Sequence, residues 1–255
     1  MTQRPRFPAR IDFSAGRPAP ARPAEAGRSA PVPQRSQPQG VGMDSGAVRA
    51  RMVAKLAAQG VRDAQVLSAM GNVERHRFVD TALANQAYED TSLPIGLGQT
   101  ISKPNVVARM IELLRNGAQG RIGRVLEIGT GCGYQAAVLS QVATEVYSIE
   151  RLRGLHDKAR ENLRPLRLAN VHLLFGDGMA GFAKGAPYAG IIAAAGGDAL
   201  PQCWIDQLAP GGRLVAPMHQ AAGTQALVVL DKTPQGIRQS VLEAVHFVPL
   251  KSGVV

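Results

Sequence analysis

Hydrophobic residues in the second half of the chain follow two alternating patterns. Short runs rich in β-branched residues are separated by segments with helical spacing, which predicts strands that alternate with helices. Such alternation is typical of an α/β fold with a mostly parallel, doubly wound sheet. Two further apolar runs flank a turn containing proline and glycine, which predicts an antiparallel hairpin at one edge of the sheet. The predicted strands are 124–128, 145–150, 171–175, 188–195, 213–217, 225–231 and 241–248, and the predicted helices are 134–142, 152–163 and 202–208.

The segment before this core has helical periodicity instead. Val48, Met52 and Leu56 recur every four residues, and shorter helical runs follow them along the chain. We therefore expect residues 43–92 to form a helical cap, and residues 106–255 to form the cofactor-binding α/β core.

A loop rich in glycine and proline, residues 93–105, connects the cap to the core. It reads Leu93-Pro-Ile-Gly-Leu-Gly-Gln-Thr-Ile-Ser-Lys-Pro104 and has little predicted secondary structure of its own. Loops of this kind, held on a rigid scaffold, often carry function. An amphipathic helix from Val106 to Leu114 is predicted to follow it and to pack on the sheet.

Positive charge is concentrated at the start of the chain. Residues 1–42 contain seven arginines and two acids, a net charge of +5, which is half of the +10 carried by all 255 residues. They also hold eight of the seventeen prolines. We expect this segment to be a disordered extension, because it cannot bury enough apolar surface to offset its chain entropy. The remaining chain is only mildly basic, which weakens the case for a nucleic-acid partner.

Several other classes of protein are disfavoured by the composition. No apolar run approaches the roughly 18 residues that a membrane span requires. The two cysteines, Cys132 and Cys203, lack the spacing of a metal site or a redox pair, and the five histidines lack ligand spacing. We therefore predict no bound metal, no membrane span and a reducing, cytoplasmic setting.

A turn with three glycines, Gly129, Gly131 and Gly133, joins the first core strand to its helix. This arrangement brings backbone N–H groups and a helix N-terminus close to a ligand. Glu150 ends the next strand, where a carboxylate can accept hydrogen bonds from both hydroxyls of a ribose. Dinucleotide binders use a different glycine spacing, and Glu127 would repel a pyrophosphate but suit a cationic ligand such as S-adenosylmethionine. A turn whose glycines only permit close packing of strand and helix remains the alternative.

A second acid and glycine, Asp177 and Gly178, follow the third core strand. In a sheet that binds an adenine nucleoside, an acid at this point can accept a hydrogen bond from the adenine amino group, and the glycine permits close backbone approach. The pair is a weak signal by itself, because Asp-Gly is mostly found in ordinary turns.

Several stretches of the chain carry a resemblance to one family. Between about Val66 and Leu250 the chain closely resembles the protein-L-isoaspartate O-methyltransferase family, and the pattern Gly-Gln-Thr-Ile-Ser-x-Pro is the most specific match. The matching stretches are Val73-Glu-Arg-His-Arg-Phe-Val79, Leu93-Pro-Ile-Gly-Leu-Gly-Gln-Thr-Ile-Ser-Lys-Pro104, Val125-Leu-Glu-Ile-Gly-Thr-Gly-Cys-Gly-Tyr-Gln135, Gly176-Asp-Gly178, Gly211-Gly-Arg-Leu-Val215 and Phe247-Val-Pro-Leu250.

The resemblance implies both a fold and an activity. The fold is a Rossmann-like class I methyltransferase domain with a helical N-terminal addition. The activity is methyl transfer from S-adenosylmethionine to the free carboxylate of isoaspartyl residues in damaged proteins, and the ester then collapses to a succinimide whose opening partly restores a normal aspartyl bond. The implied partners are isoaspartyl-containing proteins and peptides, and we expect a monomer that binds no nucleic acid.

The resemblance also assigns residues to the two halves of the site. On the substrate side, Ser102 is the active-site hydroxyl, and Gln99, Thr100 and Ile101 belong to the same loop. The cofactor side comprises Glu127, Gly129, Thr130, Gly131, Cys132, Glu150, Asp177 and Gly178, with Gly129, Gly131 and Cys132 at the methionine end, Glu150 at the ribose, and Asp177 and Gly178 at the adenine.

The chemistry of the substrate supports a positioning role for Ser102. An isoaspartyl α-carboxyl group has a reference pKa of about 3.3–3.7 and is ionised at neutral pH, so the reaction needs no general base. A hydroxyl can donate to this carboxylate without neutralising it. The alternative is that Ser102 caps the helix that begins near Pro104.

Four residues depart from the family pattern. Ala189 stands where the family usually has an acid, and Ala194 stands where it usually has a hydroxyl. Asn105 and Val107 occupy positions that eukaryotic relatives often fill with histidine. From these departures we expect an altered preference among peptides rather than an inactive enzyme.

Three alternative functions stay open on the residues alone. A nucleic-acid methyltransferase would share the cofactor half, but the chain lacks the Asn/Asp-Pro-Pro-aromatic element and the Pro-Cys nucleophile that such enzymes use. A non-enzymatic adaptor that binds S-adenosylmethionine is the second alternative. An NAD enzyme is the third and is disfavoured by the glycine spacing.

Overall fold

The central feature of the fold is a seven-stranded sheet with the order β5-β4-β3-β6-β7-β8-β9. The computed structural model describes residues 46–255, with only the backbone described at position 222. The prediction of a disordered extension at residues 1–42 therefore lies outside the described residues. The strands of the large sheet are β3 (Ile122–Ile128), β4 (Ala143–Glu150), β5 (Val171–Phe175), β6 (Tyr188–Ala193), β7 (Leu208–His219), β8 (Gln225–Thr233) and β9 (Gly236–Val245).

The first five of these strands pair in parallel, and the last two add on in antiparallel pairs. The fold class predicted from the sequence, a mostly parallel doubly wound sheet with an antiparallel hairpin at one edge, is thereby confirmed. Strand β3 lies between β4 and β6, so the direction of chain progress across the sheet reverses beside it. In open α/β sheets, ligands bind at this reversal, outside the carboxyl ends of the strands.

The helices follow the predicted segments closely. The two helices of the N-terminal region are followed by two 3₁₀ turns, Arg75–Phe78 and Thr81–Gln86. Asp63 caps the second helix, because its carboxylate accepts hydrogen bonds from the backbone N–H groups of Gln65 and Val66. The helices are α1 (Gly46–Ala58), α2 (Ala64–Asn72), α3 (Pro104–Arg115), α4 (Tyr134–Val142), α5 (Arg153–Leu163) and α6 (Gln202–Gln207).

The loop at residues 93–105 has more secondary structure than we predicted. It contains a two-stranded antiparallel hairpin of β1 (Leu93–Gly96) and β2 (Gln99–Ile101). Three successive residues with positive φ, Gly96, Leu97 and Gly98, reverse the chain at its tip. The prediction was wrong because the glycines and Pro94 hid a strand pattern in which Leu93 and Ile95 alternate inward.

The apolar core binds the helical N-terminal region to the sheet. One cluster of buried residues runs from Met52 and Leu56 in α1, through Met110 and Ile111 in α3, to Val125 in β3. Helix α3 buries one full face, as its amphipathic sequence predicted. Burial of this kind fixes the start of α3, and therefore the hairpin just before it, against the sheet.

Candidate active site

A cavity of about 520 Å³ opens at the carboxyl ends of β3 and β4. A volume of this size is typical of a small-molecule or cofactor site. Three segments enclose it: the β1–β2 hairpin, the glycine turn after β3, and the segment Val248–Lys251 near the end of the chain. The predicted residues on its wall are Gln99, Thr100, Ile101, Ser102, Gly129, Thr130, Gly131, Cys132, Glu150 and Gly178.

The glycine turn has a backbone that other residues would adopt only with strain. Gly129, Gly131 and Gly133 have φ values of 90°, 57° and 91°. A side chain at Gly131 would bring its Cβ within 3.2 Å of Ile95 in the hairpin, and one at Gly133 within 3.0 Å of Leu163. The glycines therefore permit both the turn itself and the close approach of the β1–β2 hairpin and α5.

Glu150 is the buried acid at the end of β4, and it organises the same turn. Its carboxylate accepts hydrogen bonds from the backbone N–H groups of Gly131 and Leu152, both at 2.9 Å. The side chain lines the cavity although the residue is only 5% exposed. A carboxylate has about four lone-pair positions, so these two bonds leave it free to accept hydroxyl groups of a ligand.

Glu127 does not lie on the cavity wall, contrary to the simplest interpretation of its position before the turn. It is fully buried behind the turn. Ser148 in β4 donates a hydrogen bond to Glu127 Oε2, and the Ser148 hydroxyl lies 2.6 Å from that of Thr130. Burial raises the pKa of Glu127 to about 8. Side chains on β3 alternate between the two faces of the sheet, which directs Glu127 into the protein rather than towards the cavity.

Glu127 and Gln135 interact behind the cavity wall. Burial raises the pKa of Glu127, and the side chains of Ser148 and Gln135 oppose part of this increase. Glu127 Oε1 and Gln135 Nε2 make no hydrogen bond of ordinary geometry among the described residues. Gln135 lies on the cavity wall at the start of α4, so its amide connects the buried acid to the cavity.

Asp177 also lies off the cavity wall, whereas Gly178 lies on it. Its Oδ1 accepts a hydrogen bond from Met179 N–H, and its Oδ2 accepts one from Gly253 N–H at 2.6 Å. Asp177 therefore anchors the end of the described chain beside the cavity, which the sequence did not predict. A Cβ on Gly178 would lie 2.6 Å from Ile128 Cγ2, so only glycine permits the approach of this turn to β3.

The hairpin places all four predicted substrate residues on the wall. Gln99, Thr100, Ile101 and Ser102 line the cavity opposite the glycine turn. The capping alternative for Ser102 is not supported, because Lys103 occupies the N-cap position of α3 and no side chain caps it. Ser102 is instead held through its backbone, since its carbonyl oxygen accepts a hydrogen bond from Arg75 Nη2 at 2.7 Å.

Some wall residues were missed by the sequence analysis. Leu97 lies at the hairpin tip and is 62% exposed, and Val255 also lines the cavity. Val255 is held by backbone hydrogen bonds with Arg151 and Arg153. The motif around Phe247 pointed to this region, but nothing local in the sequence indicates which residues the final segment contacts.

Other types of site receive no support from the structure. Across residues 46–255, no group of three or more histidine, cysteine, aspartate or glutamate side chains has the geometry of a metal site. Within the same part of the chain, no helix has both the length and the apolar character to cross a membrane.

Comparison with known proteins identifies the family. The family described as Protein-L-isoaspartate(D-aspartate) O-methyltransferase matches residues 47–255. A protein-L-isoaspartate O-methyltransferase from Methylibium petroleiphilum is 60% identical over 98% of this chain and 96% of its own length. A second, from Leptothrix cholodnii, is 63% identical over 84% of this chain and 77% of its own length.

Solved structures agree with this assignment at the level of the fold. A protein-L-isoaspartate O-methyltransferase superposes with a TM-score of 0.71 at 27% identity, over 81% of this chain and 67% of the other. A candidate enzyme of the same type from Plasmodium falciparum, in complex with S-adenosyl-L-homocysteine, superposes with a TM-score of 0.68 at 24% identity, over 79% and 97%. The chain thus belongs to the protein-L-isoaspartate(D-aspartate) O-methyltransferase family, S-adenosylmethionine-dependent enzymes that methylate the free carboxylate of isoaspartyl residues.

Proposed function

We propose that the cavity between the β1–β2 hairpin and the glycine turn is where this enzyme aligns the substrate carboxylate with the methyl group of the cofactor. One observation carries the proposal: Ser102 of the hairpin and Gly131 of the turn line the same cavity. A carboxylate held by the hairpin therefore faces a ligand held by the turn. Correct alignment of two reactants can lower a barrier by roughly 7–11 kcal/mol.

The residues of the turn fit S-adenosylmethionine. When bound, the cofactor supplies a methyl group on a positively charged sulfur. Glu150 has lone pairs available for the ribose hydroxyls, and the close approach of Gly178 to β3 leaves a backbone surface for the adenine. Gly129, Thr130, Gly131 and Cys132 provide the wall at the methionine end.

Asp177 is proposed to accept a hydrogen bond from the adenine amino group at the rim of the cavity. Its carboxylate already accepts two backbone hydrogen bonds, and remaining lone pairs can accept a third. The neighbouring wall residue, Gly178, supports this assignment.

Glu127 is proposed to act on the cofactor from behind the wall rather than by lining it. Its Oε1 and Nε2 of Gln135 make no hydrogen bond of ordinary geometry among the described residues, although the two side chains are neighbours, and Gln135 lines the cavity. A positive amino group near these atoms would favour the ionised form of Glu127. The buried acid would then stabilise a cationic ligand and disfavour an anionic one.

On the substrate side, the chain needs to orient a nucleophile but not to create one. The isoaspartyl carboxylate is ionised at neutral pH, because its reference pKa is about 3.3–3.7. The Ser102 hydroxyl and hairpin backbone N–H groups donate hydrogen bonds that fix the direction of an oxygen lone pair. Ile101 is buried and holds the hairpin to the protein, so that Thr100 and Gln99 are presented at the wall.

The proposed partners are isoaspartyl-containing proteins and peptides, acted on by a cytoplasmic monomer that binds neither nucleic acid nor membranes. Ala194, one of the departures from the family pattern, lines the cavity and lies next to Gly129. A missing hydroxyl there removes a polar contact at the wall, which supports an altered preference among peptides.

The deciding experiment is radiolabelled methyl transfer to an isoaspartyl peptide and to its normal aspartyl twin. We expect turnover of the isoaspartyl peptide only. Ser102→Ala should lower kcat by roughly tenfold or more, the loss expected for one directing hydrogen bond in a water-poor site, while the affinity for S-adenosylhomocysteine stays within about twofold. Ser240→Ala, on the exposed strand β9, is the control and should behave as the wild type. Equal methylation of both peptides would contradict the proposed function, and a fully active Ser102→Ala variant would remove Ser102 from it.

A further inference from the structure

Two arginines among the described residues are almost wholly buried, Arg75 and Arg115, with exposures of 0% and 2%. Arg115 is neutralised: its Nε lies 2.7 Å from Asp63 Oδ2, and its remaining nitrogens donate to backbone carbonyls that include those of Ala118 and Gly120. Arg115 therefore has a structural role: its buried ion pair joins α3 to the start of α2.

Arg75 is buried without such a partner. Its Nε donates to Ala87 O at 2.8 Å and its Nη2 donates to Ser102 O at 2.7 Å. Its Nη1 makes no hydrogen bond of ordinary geometry among the described residues, and no carboxylate of those residues forms an ion pair with Arg75. Burial lowers the pKa of Arg75, and the nearby Tyr134 side chain opposes part of this decrease. The guanidinium lies over the ring of Tyr134, 4.8 Å from the ring centroid, and Tyr134 lines the cavity.

Two acids near Arg75 are engaged elsewhere: Glu74 precedes it in the sequence, and the charge of Asp90 raises the pKa of Arg75 against the larger, opposite effect of burial. Glu74 pairs with Arg49 and Arg77. Asp90 accepts hydrogen bonds from the backbone N–H of Asn105 and from the side chain of Gln59. Within residues 46–255, the protein therefore offers Arg75 carbonyl oxygens and an aromatic face, but no negative charge in contact.

A buried charge without a counter-ion is strongly unfavourable. Burial lowers the pKa of Arg75, yet a guanidinium stays protonated at neutral pH because its ordinary pKa exceeds about 12. The guanidinium contacts the backbone of Ser102 and the ring of Tyr134, both of which line the cavity, but Arg75 does not line it. An anion that enters the cavity beside Ser102 would stabilise this buried charge.

We propose that Arg75 is a positioning residue that attracts the carboxylate of the substrate through the hairpin, without touching it, and that holds Ser102 in place through its carbonyl oxygen. This inference rests on the proposed function, in which an isoaspartyl carboxylate binds at Ser102. A guanidinium in direct contact would hold the carboxylate by two hydrogen bonds and reduce its nucleophilicity. A guanidinium that is separated from the carboxylate by the hairpin attracts it electrostatically and leaves the lone pairs of its oxygens free to react.

The charges in the reaction predict which kinetic constant Arg75 controls. Methyl transfer converts a carboxylate and a sulfonium into a neutral ester and a neutral thioether. Arg75 favours the carboxylate and disfavours the sulfonium, and both effects fade as the two charges disappear in the transition state. Loss of the Arg75 charge should therefore raise KM for the peptide while kcat changes by less than about threefold.

The test compares an isoaspartyl peptide with its twin in which the free carboxylate is a carboxamide, which has nearly the same shape but no charge. Binding is measured by calorimetry to the enzyme saturated with S-adenosylhomocysteine, whose sulfur carries no charge. We expect the wild type to bind the carboxylate on the order of tenfold more tightly, the size of a Coulomb attraction across about 10 Å at an effective dielectric constant near 20. If the wild type binds the two peptides equally, the inference is overturned, and no variant is needed to show it.

Two substitutions separate charge from hydrogen bonding. Arg75→Lys keeps the charge, and Arg75→Gln keeps polar contact but removes the charge. We expect Arg75→Lys to retain most of the preference for the carboxylate and Arg75→Gln to lose it. In both variants the affinity for S-adenosylhomocysteine should stay within about twofold of the wild-type value. An equal loss in both variants, or a preference retained in Arg75→Gln, overturns the inference.

Arg115 provides the matched control. Arg115→Gln removes an equally buried charge and should lower the melting temperature, because it leaves Asp63 without its ion-pair partner. It should leave the preference for the carboxylate unchanged, and a preference lost in this variant as well would show a general effect of destabilisation and overturn the inference. Wild-type turnover of the isoaspartyl peptide, measured in parallel, tests the proposed function separately from the role of Arg75.

Discussion

At the scale of single residues, Glu127 is the residue whose predicted role changes most once its burial is known. An acid two residues before a glycine turn looks in the sequence like a ligand contact. In the fold it is fully buried beneath the turn, and Ser148 donates a hydrogen bond to its carboxyl group. Burial raises its pKa to about 8, with a smaller contribution in the same direction from Glu150. A pKa of about 8 favours the protonated form of Glu127 at neutral pH.

The raised pKa of Glu127 predicts how stability depends on pH. The folded state binds the Glu127 proton more tightly than the unfolded state, whose pKa is near 4.5. The stabilisation from this proton is complete below about pH 4.5 and is lost as the pH rises through about 8. Glu127→Gln should therefore be more stable than the wild type at pH 9, by roughly 5 °C or more in melting temperature, with the difference shrinking towards pH 5. Thermal unfolding across this pH range measures it.

A neighbouring acid on the adjacent strand provides the control for this prediction. The Arg124 guanidinium beside Glu145 lowers the pKa of that exposed carboxyl group, which is the opposite direction. Glu145→Gln should therefore give no gain in stability at high pH. A Glu127→Gln variant that loses stability equally at pH 5 and pH 9 would refute the interpretation of Glu127 as a buried, protonated acid.

At the scale of elements, the segment from Val248 to Val255 completes the site from far away in sequence. Asp177 holds it through Gly253 N–H, and Arg151 holds it through the carbonyl oxygens of Ser252 and Gly253. The acid that the sequence assigns to the adenine is thus also the anchor of a cavity wall. Any substitution of Asp177 affects both roles.

Asp177→Ala should weaken the binding of S-adenosylhomocysteine by roughly 1–3 kcal/mol, because a charged hydrogen-bond acceptor is lost. Calorimetric titration of the wild type, of Asp177→Ala, and of both after deletion of residues 252–255 separates the two roles. A contact with the adenine predicts that Asp177→Ala still weakens binding in the shortened protein. No further loss there would mean that Asp177 acts only by anchoring the final segment.

At the scale of the whole molecule, the described residues contain a core that joins the N-terminal helices, the hairpin and the sheet. The arginine-rich residues 1–42 supply little apolar surface that could extend it. Their deletion should shift the melting temperature by less than about 2 °C and leave the turnover of isoaspartyl peptide within about twofold. Differential scanning calorimetry and the methyl-transfer assay check both values. A large fall in melting temperature would mean that the segment contributes to the core.

Local patterns in the sequence were sufficient for the architecture. Alternating strands and helices, the three glycines around Gly131 and the acid that ends β4 predicted a doubly wound sheet with a nucleoside site at its carboxyl edge, and the fold is confirmed. These features depend on backbone geometry and on periodicity within one element, which neighbouring residues fix. The hairpin at Leu93–Ile101 was missed because its pattern is only four and three residues long and is interrupted by glycines.

Only the tertiary structure decided which polar groups contact one another. The sequence does not indicate that Glu127 is buried under the turn, that Asp177 accepts a hydrogen bond from Gly253, or that Arg75 is buried against Ser102 without an ion pair. Burial and partnership depend on segments that are distant in sequence and come together only when the sheet and the N-terminal helices pack. The protonation and charge of a group follow from those contacts, so the sequence by itself determined the residue types of the site, and the fold determined their electrostatics.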